Sequence, residues 1–405
     1  MTERIDQREE DELPLRDAAL SKVQARTGGL SRASETVAMS CKHRKNNPFY
    51  KDNGSERHRP GNGHGASPVY GALDLGTNNC RLLVARASRR GFQVIDAFSR
   101  IIRLGEGVSQ TGRLSEAAIE RTIDALKVCA DKMHRRNVRR ARLIATEACR
   151  VAENGGDFVR RAHEETGLRI EVINRETEAR LAVAGCASLL DRSCDWALVF
   201  DIGGGSTELI WVDLSRLGSS KMASLGERAR IQGAIAAWTS MPVGVVTLAE
   251  RFGGRAVDEN VFEAMVGDVL EKLGPFEAEH RFARYVALDR AHLLGTSGTV
   301  TTIAGVHLKL PSYNRSRVDG CWLTGDEARV VSNELLGYSY QERASQPCIG
   351  PDRADLVLAG CAILEAIMRL WPCRRLRVAD RGLREGILTS LIAEDSPRHR
   401  NGRRG

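Results

Sequence analysis

FDIGGGSTELIWV, residues 200–212, decides how the chain folds. An apolar run ends in Asp201. Gly203, Gly204, Gly205, Ser206 and Thr207 follow, and Glu208 opens a second apolar run. Two apolar stretches around a small, polar, glycine-rich break read as strand, turn and strand. A turn needs one or two glycines. Three in a row between two acids imply that something comes close to the backbone, because a residue without Cβ leaves room for it.

An ungapped match to this stretch lies at LDLGTNNCRLLV, residues 73–84. Asp74 falls on Asp201, Gly76 on Gly203, Leu82 on Leu209 and Leu83 on Ile210. A repeat of this kind predicts two similar lobes facing a cleft. Around each copy strand and helix patterns alternate, which predicts α/β architecture. After the first copy, GFQVIDAFSRIIRL reads as a strand and LSEAAIERTIDALKVCADKMHRR as a helix capped by Ser115. RARLIAT and RIEVI read as strands, and Glu176–Leu190 as a helix. After the second copy come a strand around Ser219–Gly226, helical stretches from Val261 and the strand AHLLGTS. DLVLAGCAILEAIMRLW is a helix, RRLRVAD a last strand and LREGILTSLIAE a last helix. Four segments result: a disordered basic tail (1–67) with a short helix near Asp11–Gln24, lobe I (68–190), lobe II (191–380), and a C-terminal helix with a disordered tail (381–405).

Composition narrows the function classes. The 405 residues are 42% hydrophobic, enough to bury the cores of two lobes. No apolar run reaches the roughly 18–20 residues of a membrane span, and the charged N-terminus lacks a secretory pattern, so a cytoplasmic protein is expected. The ten cysteines form no CxxC pair, which argues for reduced core thiols rather than a zinc site. A net charge of +8 favours a polyanionic partner. Only 5% of residues are aromatic, too few for the base-stacking surfaces of a nucleic-acid binder.

The loops suit phosphate. Converging backbone N–H groups bind its oxygens, and Thr77, Asn78, Asn79 and Ser206 add side-chain donors. Asp74 and Asp201 at the strand ends are placed to hold Mg²⁺, directly or through water. Two loops with two acids make a clamp for a phosphate chain and a metal.

With these loops go RLGEGV, ATEACRVAENG, NRETEARLAVAG, MPVGVVTLAERF, GTSGTVTTIAG, DLVLAGCAIL and GLREGIL. In this order they resemble the exopolyphosphatase/guanosine pentaphosphate phosphohydrolase family from about Tyr70 to about Ile392. The resemblance implies the actin/Hsp70/sugar-kinase fold, with two duplicated ribonuclease-H-like lobes around a cleft. It implies Glu178, in RETEARL, as the general base. It implies Glu208 beside the metal or the water, and Arg150 directed at the phosphates, with Asn154 a further candidate. Taken alone, Glu178 is one of several acids opening a helix, where the helix dipole favours them.

The implied activity is release of terminal orthophosphate from inorganic polyphosphate, with Mg²⁺ and a water activated by Glu178. The same chemistry would remove the 5′-terminal phosphate of guanosine pentaphosphate, and phosphoryl transfer to ADP stays open. Dimerisation is common among relatives. Two departures stand out: the first loop reads Gly76-Thr77-Asn78-Asn79 where the family has G-S-N-S, and Ser297 stands where it has a glycine. The chain resembles the family's short two-lobe form.

Overall fold

The computed structural model describes residues 67–88, 91–217 and 231–395. The basic tail to residue 66, the helix expected near Asp11–Gln24, the strand expected around Ser219–Gly226 and residues 396–405 lie outside the described residues.

The first sheet holds β1 (Val69–Leu75), β2 (Asn79–Ser88), β3 (Gly91–Ile101), β4 (Arg140–Ala145) and β5 (Glu171–Val172), in the order β3-β2-β1-β4-β5. The second holds β6 (Trp196–Ile202), β7 (Thr207–Asp213), β8 (Ile235–Met241), β9 (Ala291–Thr296), β10 (Trp322–Thr324) and β11 (Arg375–Ala379), in the order β10-β11-β9-β6-β7-β8. In each, the repeated hairpin is antiparallel and its first strand then pairs in parallel with a later one: β1 with β4, β6 with β9. Sheet two is thus sheet one again, with β10 added at the edge. The duplication read from the two loops extends through both lobes.

The central strands are apolar on both faces, as a covered parallel sheet requires. VYGALDL and WALVFDI are buried except near their ends. The Glu116–Arg135 helix lays Ala118, Ile119, Ile123, Leu126, Cys129 and Met133 on the first sheet, and Ser115 caps it by accepting from the Ala118 N–H. The helix expected over Glu176–Leu190 spans Arg175–Cys186 and tightens into a 3₁₀ turn over Ala187–Leu189. Asn174 caps it, accepting from the Thr177 N–H at 2.8 Å.

That helix is the wedge between the lobes. Leu181 and Ala182 pack with Tyr70, Leu83 and Ile144 of the first sheet. Ala179, Val183 and Cys186 pack with Val199, Ile210 and Leu294 of the second. The last helix, Leu383–Glu394, lies against it and covers the first sheet with Leu383, Ile387, Leu388 and Leu391. The chain therefore returns to lobe I at its C-terminal end. Tyr70 Oη, donating to Asp395 at 2.9 Å, and Arg140, paired with Glu394 and Asp395, pin that end. Of the ten cysteines, the nine described are all free thiols, and all but Cys321 are buried.

Candidate active site

The turns β1–β2 and β6–β7 face one another at the carboxyl ends of β1 and β6, where ligands bind in sheets of this kind. A cavity of about 140 Å³ lies between them, lined by both loops, Asp74, Glu147, Glu178, Asp201, Glu208 and the 379–384 segment.

The structure shows what crowds Gly204 and Gly205. A Cβ on Gly204 would sit 2.9 Å from Thr77 Cβ, and one on Gly205 2.8 Å from Thr77 Oγ1 and 3.1 Å from Glu147 Cγ. A Cβ on Gly244 would meet the Gly204 carbonyl carbon at 2.4 Å. Val245 and Val246 donate their N–H groups to the Gly203 and Gly204 carbonyls. The close approach read from the sequence is made first by the protein: the opposing loop and the start of the Val245–Phe252 helix. Thr77 and Asn78 are anchored in the same way, their carbonyls accepting from Gly105 and from Ile102 and Arg103. The Asn78 and Asn79 side-chain oxygens are buried and have no hydrogen-bond partner among the described residues. Both residues line the cavity and can turn donors or acceptors to a ligand.

The acids converge. Asp201 and Glu208 are cross-strand partners in the β6–β7 hairpin, so their side chains leave the same face. Like charges placed this way repel, and burial adds to the cost. Burial, then Glu208 and Asp74, push Asp201 up to about 7. Glu208 is 1% exposed, and burial raises it although Ser240 and Ser206 each donate to Oε1 at 2.8 Å. Burial and the Glu208 charge raise Glu178 well above the usual carboxylate range, against the pull of Arg150. Burial also raises Asp74, whose cross-strand partner is the basic Arg81.

Among the described residues no three His, Cys, Asp or Glu side chains form a group that could hold a metal alone. Asp74, Asp201 and Glu208 are therefore not a closed cage. They still fit Mg²⁺, which keeps several waters and binds through one or two carboxylates plus substrate phosphates. The Asp201–Glu208 repulsion is the observation that favours a cation there.

Two sequence expectations are corrected. Arg150 does not line the cavity. Its Nε and Nη2 donate to Glu147, Nη2 also to Glu178 at 3.0 Å, and Nη1 to the Ile173 carbonyl at 2.7 Å. Its donors are turned to Glu147, Glu178 and the Ile173 carbonyl. Asn154 clamps the backbone of Leu114, accepting at 2.8 Å and donating at 2.9 Å, away from the cavity.

The sequence reading missed three arginines. Arg81, Arg353 and Arg384 line the cavity, and among the described residues their side chains make no ion pair or hydrogen bond. Burial lowers Arg384, and Arg81 beside it adds to this. Arg81 and Arg384 stand inside the motifs LDLGTNNCRLLV and GLREGIL, but in a chain with 60 Lys and Arg nothing marks them as unpaired. Ser297, in the family's glycine position, has φ 84 and ψ −174, a backbone region that glycine prefers. Its hydroxyl donates to the Ile202 carbonyl at 2.6 Å, tying this turn to the end of β6.

Two ribonuclease-H-like lobes that present matching acid-and-glycine hairpins to one cleft define the actin-like class of two-lobe proteins. Within it the chain belongs to the Ppx/GppA phosphatase family, which it matches over residues 83–395. It is 30% identical over 329 residues to the guanosine-5′-triphosphate,3′-diphosphate pyrophosphatase of Aliivibrio fischeri; the match covers 81% of this chain and 60% of that protein, so the chain spans less than two thirds of that relative's length. The crystal structure of the Aquifex aeolicus Ppx/GppA family member aligns with 27% identity and a TM-score of 0.63, covering 81% of this chain and 99% of that one. An exopolyphosphatase-like protein of known structure aligns with 29% identity and a TM-score of 0.68, covering 80% and 98%. Among the described residues no helix is long and apolar enough to cross a membrane.

Proposed function

We propose that the chain is a phosphoanhydride hydrolase that releases terminal orthophosphate from inorganic polyphosphate. One observation carries this: three arginines that make no ion pair among the described residues line the same cavity as the buried acids Glu178 and Glu208 and their neighbour Asp201. The arginines offer guanidinium donors to successive phosphate oxygens. The loop residues Gly76, Thr77, Asn78, Asn79, Gly203, Gly204, Gly205 and Ser206 surround the terminal phosphate. Glu178 is buried and has one carboxylate oxygen fixed by Arg150; burial and the Glu208 charge make its carboxylate a stronger base than an ordinary one, which suits it to take a proton from an attacking water. Glu208, fixed by two serine hydroxyls, keeps its remaining oxygen for the water or a cation. Mg²⁺, when bound by Asp201 and Glu208 with Asp74 nearby, would supply positive charge against the phosphate oxygens.

Guanosine pentaphosphate is the second substrate reading, and the Aliivibrio fischeri relative's name favours it. Orthophosphate release from each substrate, with Mg²⁺ and no acceptor nucleotide, ranks the two. Release from polyphosphate at the higher kcat/KM supports the first reading. Release from guanosine pentaphosphate alone replaces it with the second. No release from either overturns the hydrolase.

The acids also set a pH dependence. A carboxyl whose folded pKa is raised binds its proton more tightly folded than unfolded. It contributes stability at low pH that is lost as pH rises through the folded value. For Asp201 the window runs from about 4, its unfolded value, to about 7. The metal-free protein should lose stability across that window. Mg²⁺ should therefore raise the melting temperature more at pH 8 than at pH 5, as thermal unfolding would show. An equal effect at both would place the cation away from these acids.

A further inference from the structure

Glu147, in the ATEACR motif, is a buried charge outside the chemistry described so far. It is 5% exposed and opens the Glu147–Val151 helix. Oε2 accepts from Arg150 Nε at 2.9 Å and from Nη2 at 2.5 Å. Oε1 accepts from Arg175 Nη2 at 2.6 Å. The same Arg150 Nη2 reaches Glu178 Oε2 at 3.0 Å. Two acids thus share one guanidinium, and a second guanidinium competes for one of those acids.

We propose that Glu147 is a positioning residue of the hydrolysis: by holding Arg150 it sets the orientation and basicity of the Glu178 carboxylate, and Arg175 tunes that hold. The inference rests on Glu178 being the general base. A Glu178 facing the whole charge of Arg150 would be a weak base. One facing none of it would keep its proton at working pH. Sharing Arg150 with Glu147 puts Glu178 between these limits. Glu147 cannot drift from this place, because its side-chain carbons abut Gly205 and Arg175 grips its other oxygen. The charged groups around Glu178 are Arg150 and Glu147 from the Glu147–Val151 helix, Asp201 and Glu208 from the β6–β7 hairpin, and Arg175 at the start of its own helix. The last helix, packed against that helix, brings Arg384 into the same cavity, with Glu385 next to it in the chain.

The sign of the effect separates positioning from support. Glu147→Gln removes a negative charge and leaves Arg150 to Glu178, so the acid limb of the kcat–pH profile moves to lower pH, by about one unit for a charge at this range. The plateau kcat falls about 3–10-fold, because the base is weaker, while KM stays within about twofold. Arg175→Gln turns Glu147 wholly onto Arg150, and the limb moves to higher pH. Glu147→Asp keeps the charge and returns the limb toward wild type.

The test is the kcat–pH profile of the full chain on polyphosphate with Mg²⁺, for wild type, these variants and Glu178→Gln, with thermal unfolding beside it. Limbs that move apart in opposite directions support the proposal; a scaffold role would lower stability or activity in both variants without separating them. Limbs that stay together while Glu178→Gln is inactive overturn the positioning role and leave the base in place. A Glu178→Gln protein as active as wild type overturns both. Arg175 is 39% exposed, so Arg175→Gln still decides the matter if Glu147→Gln does not fold.

Discussion

Glu178→Gln should abolish orthophosphate release, by about 10²–10⁴-fold in kcat, the range for loss of a positioned general base. The substitution keeps the side chain's shape. Its amide oxygen can still accept from Arg150 Nη2, which donates to the carboxylate at 3.0 Å. The residue is 7% exposed and held among Glu208 and Asp201, so its charge is a burden on the fold. Replacing a desolvated, repelled carboxylate by a neutral amide leaves stability unchanged or raises it. The expected result is therefore a folded, inactive protein that melts no lower than wild type. A fall in kcat together with a fall in melting temperature would mean instead that Glu178 supports the structure.

Gly386→Ala should destabilise the protein by about 3 kcal/mol or more, from overpacking against backbone. A Cβ at Gly386 would lie 2.2 Å from the Leu181 carbonyl oxygen. Gly185, on the other helix, would meet the Gly382 oxygen at 1.9 Å. At both contacts the obstacle is main chain, which cannot swing aside as a side chain can. Alanine in an ordinary helix interior would gain about 0.5–1 kcal/mol over glycine, so the sign of the change is diagnostic. The Arg175–Cys186 helix carries Glu178, and the last helix carries Arg384. Spreading the two should disturb the site as well as the fold. Thermal or urea unfolding checks this. Gly386→Ala melting at or above wild type would show that the helices do not cross as described.

The fold was legible because its decisive feature is local and occurs twice. Apolar–Asp–apolar–Gly stands at 73–76 and again at 200–203, and each copy forms a hairpin whose first strand continues a parallel pair. The third strand of the second lobe was not legible. It lies at Ile235–Met241, and IAAWTSM is buried only at Ala237 and Met241 and has no long apolar run. Ser240, which donates to Glu208, is its cross-strand partner and depends on that register. Asp74, Asp201 and Glu208 could be picked out, because acids beside glycine loops are locally conspicuous; Glu178, one of several acids opening a helix, was marked only by the family resemblance. What each acid meets was not, since partners come from distant segments: Arg150 meets Glu178 across 28 positions, and Arg384 meets Arg81 only because the last helix returns to lobe I. Gly204 and Gly205 are crowded as the sequence implied, but by protein. The opposing loop that crowds them could not be seen before the lobes were brought together.

The central claim is that this cavity sends a water, not a nucleotide, to the end of a phosphate chain. A single turnover of polyphosphate in oxygen-18 water, with Mg²⁺ and no nucleotide, tests it most directly. Hydrolysis predicts that the released orthophosphate carries the label, that the shortened chain does not, and that Glu178→Gln releases almost none. Orthophosphate without the label, or chain shortening only when ADP is supplied, with the terminal phosphoryl group recovered in ATP, would contradict it.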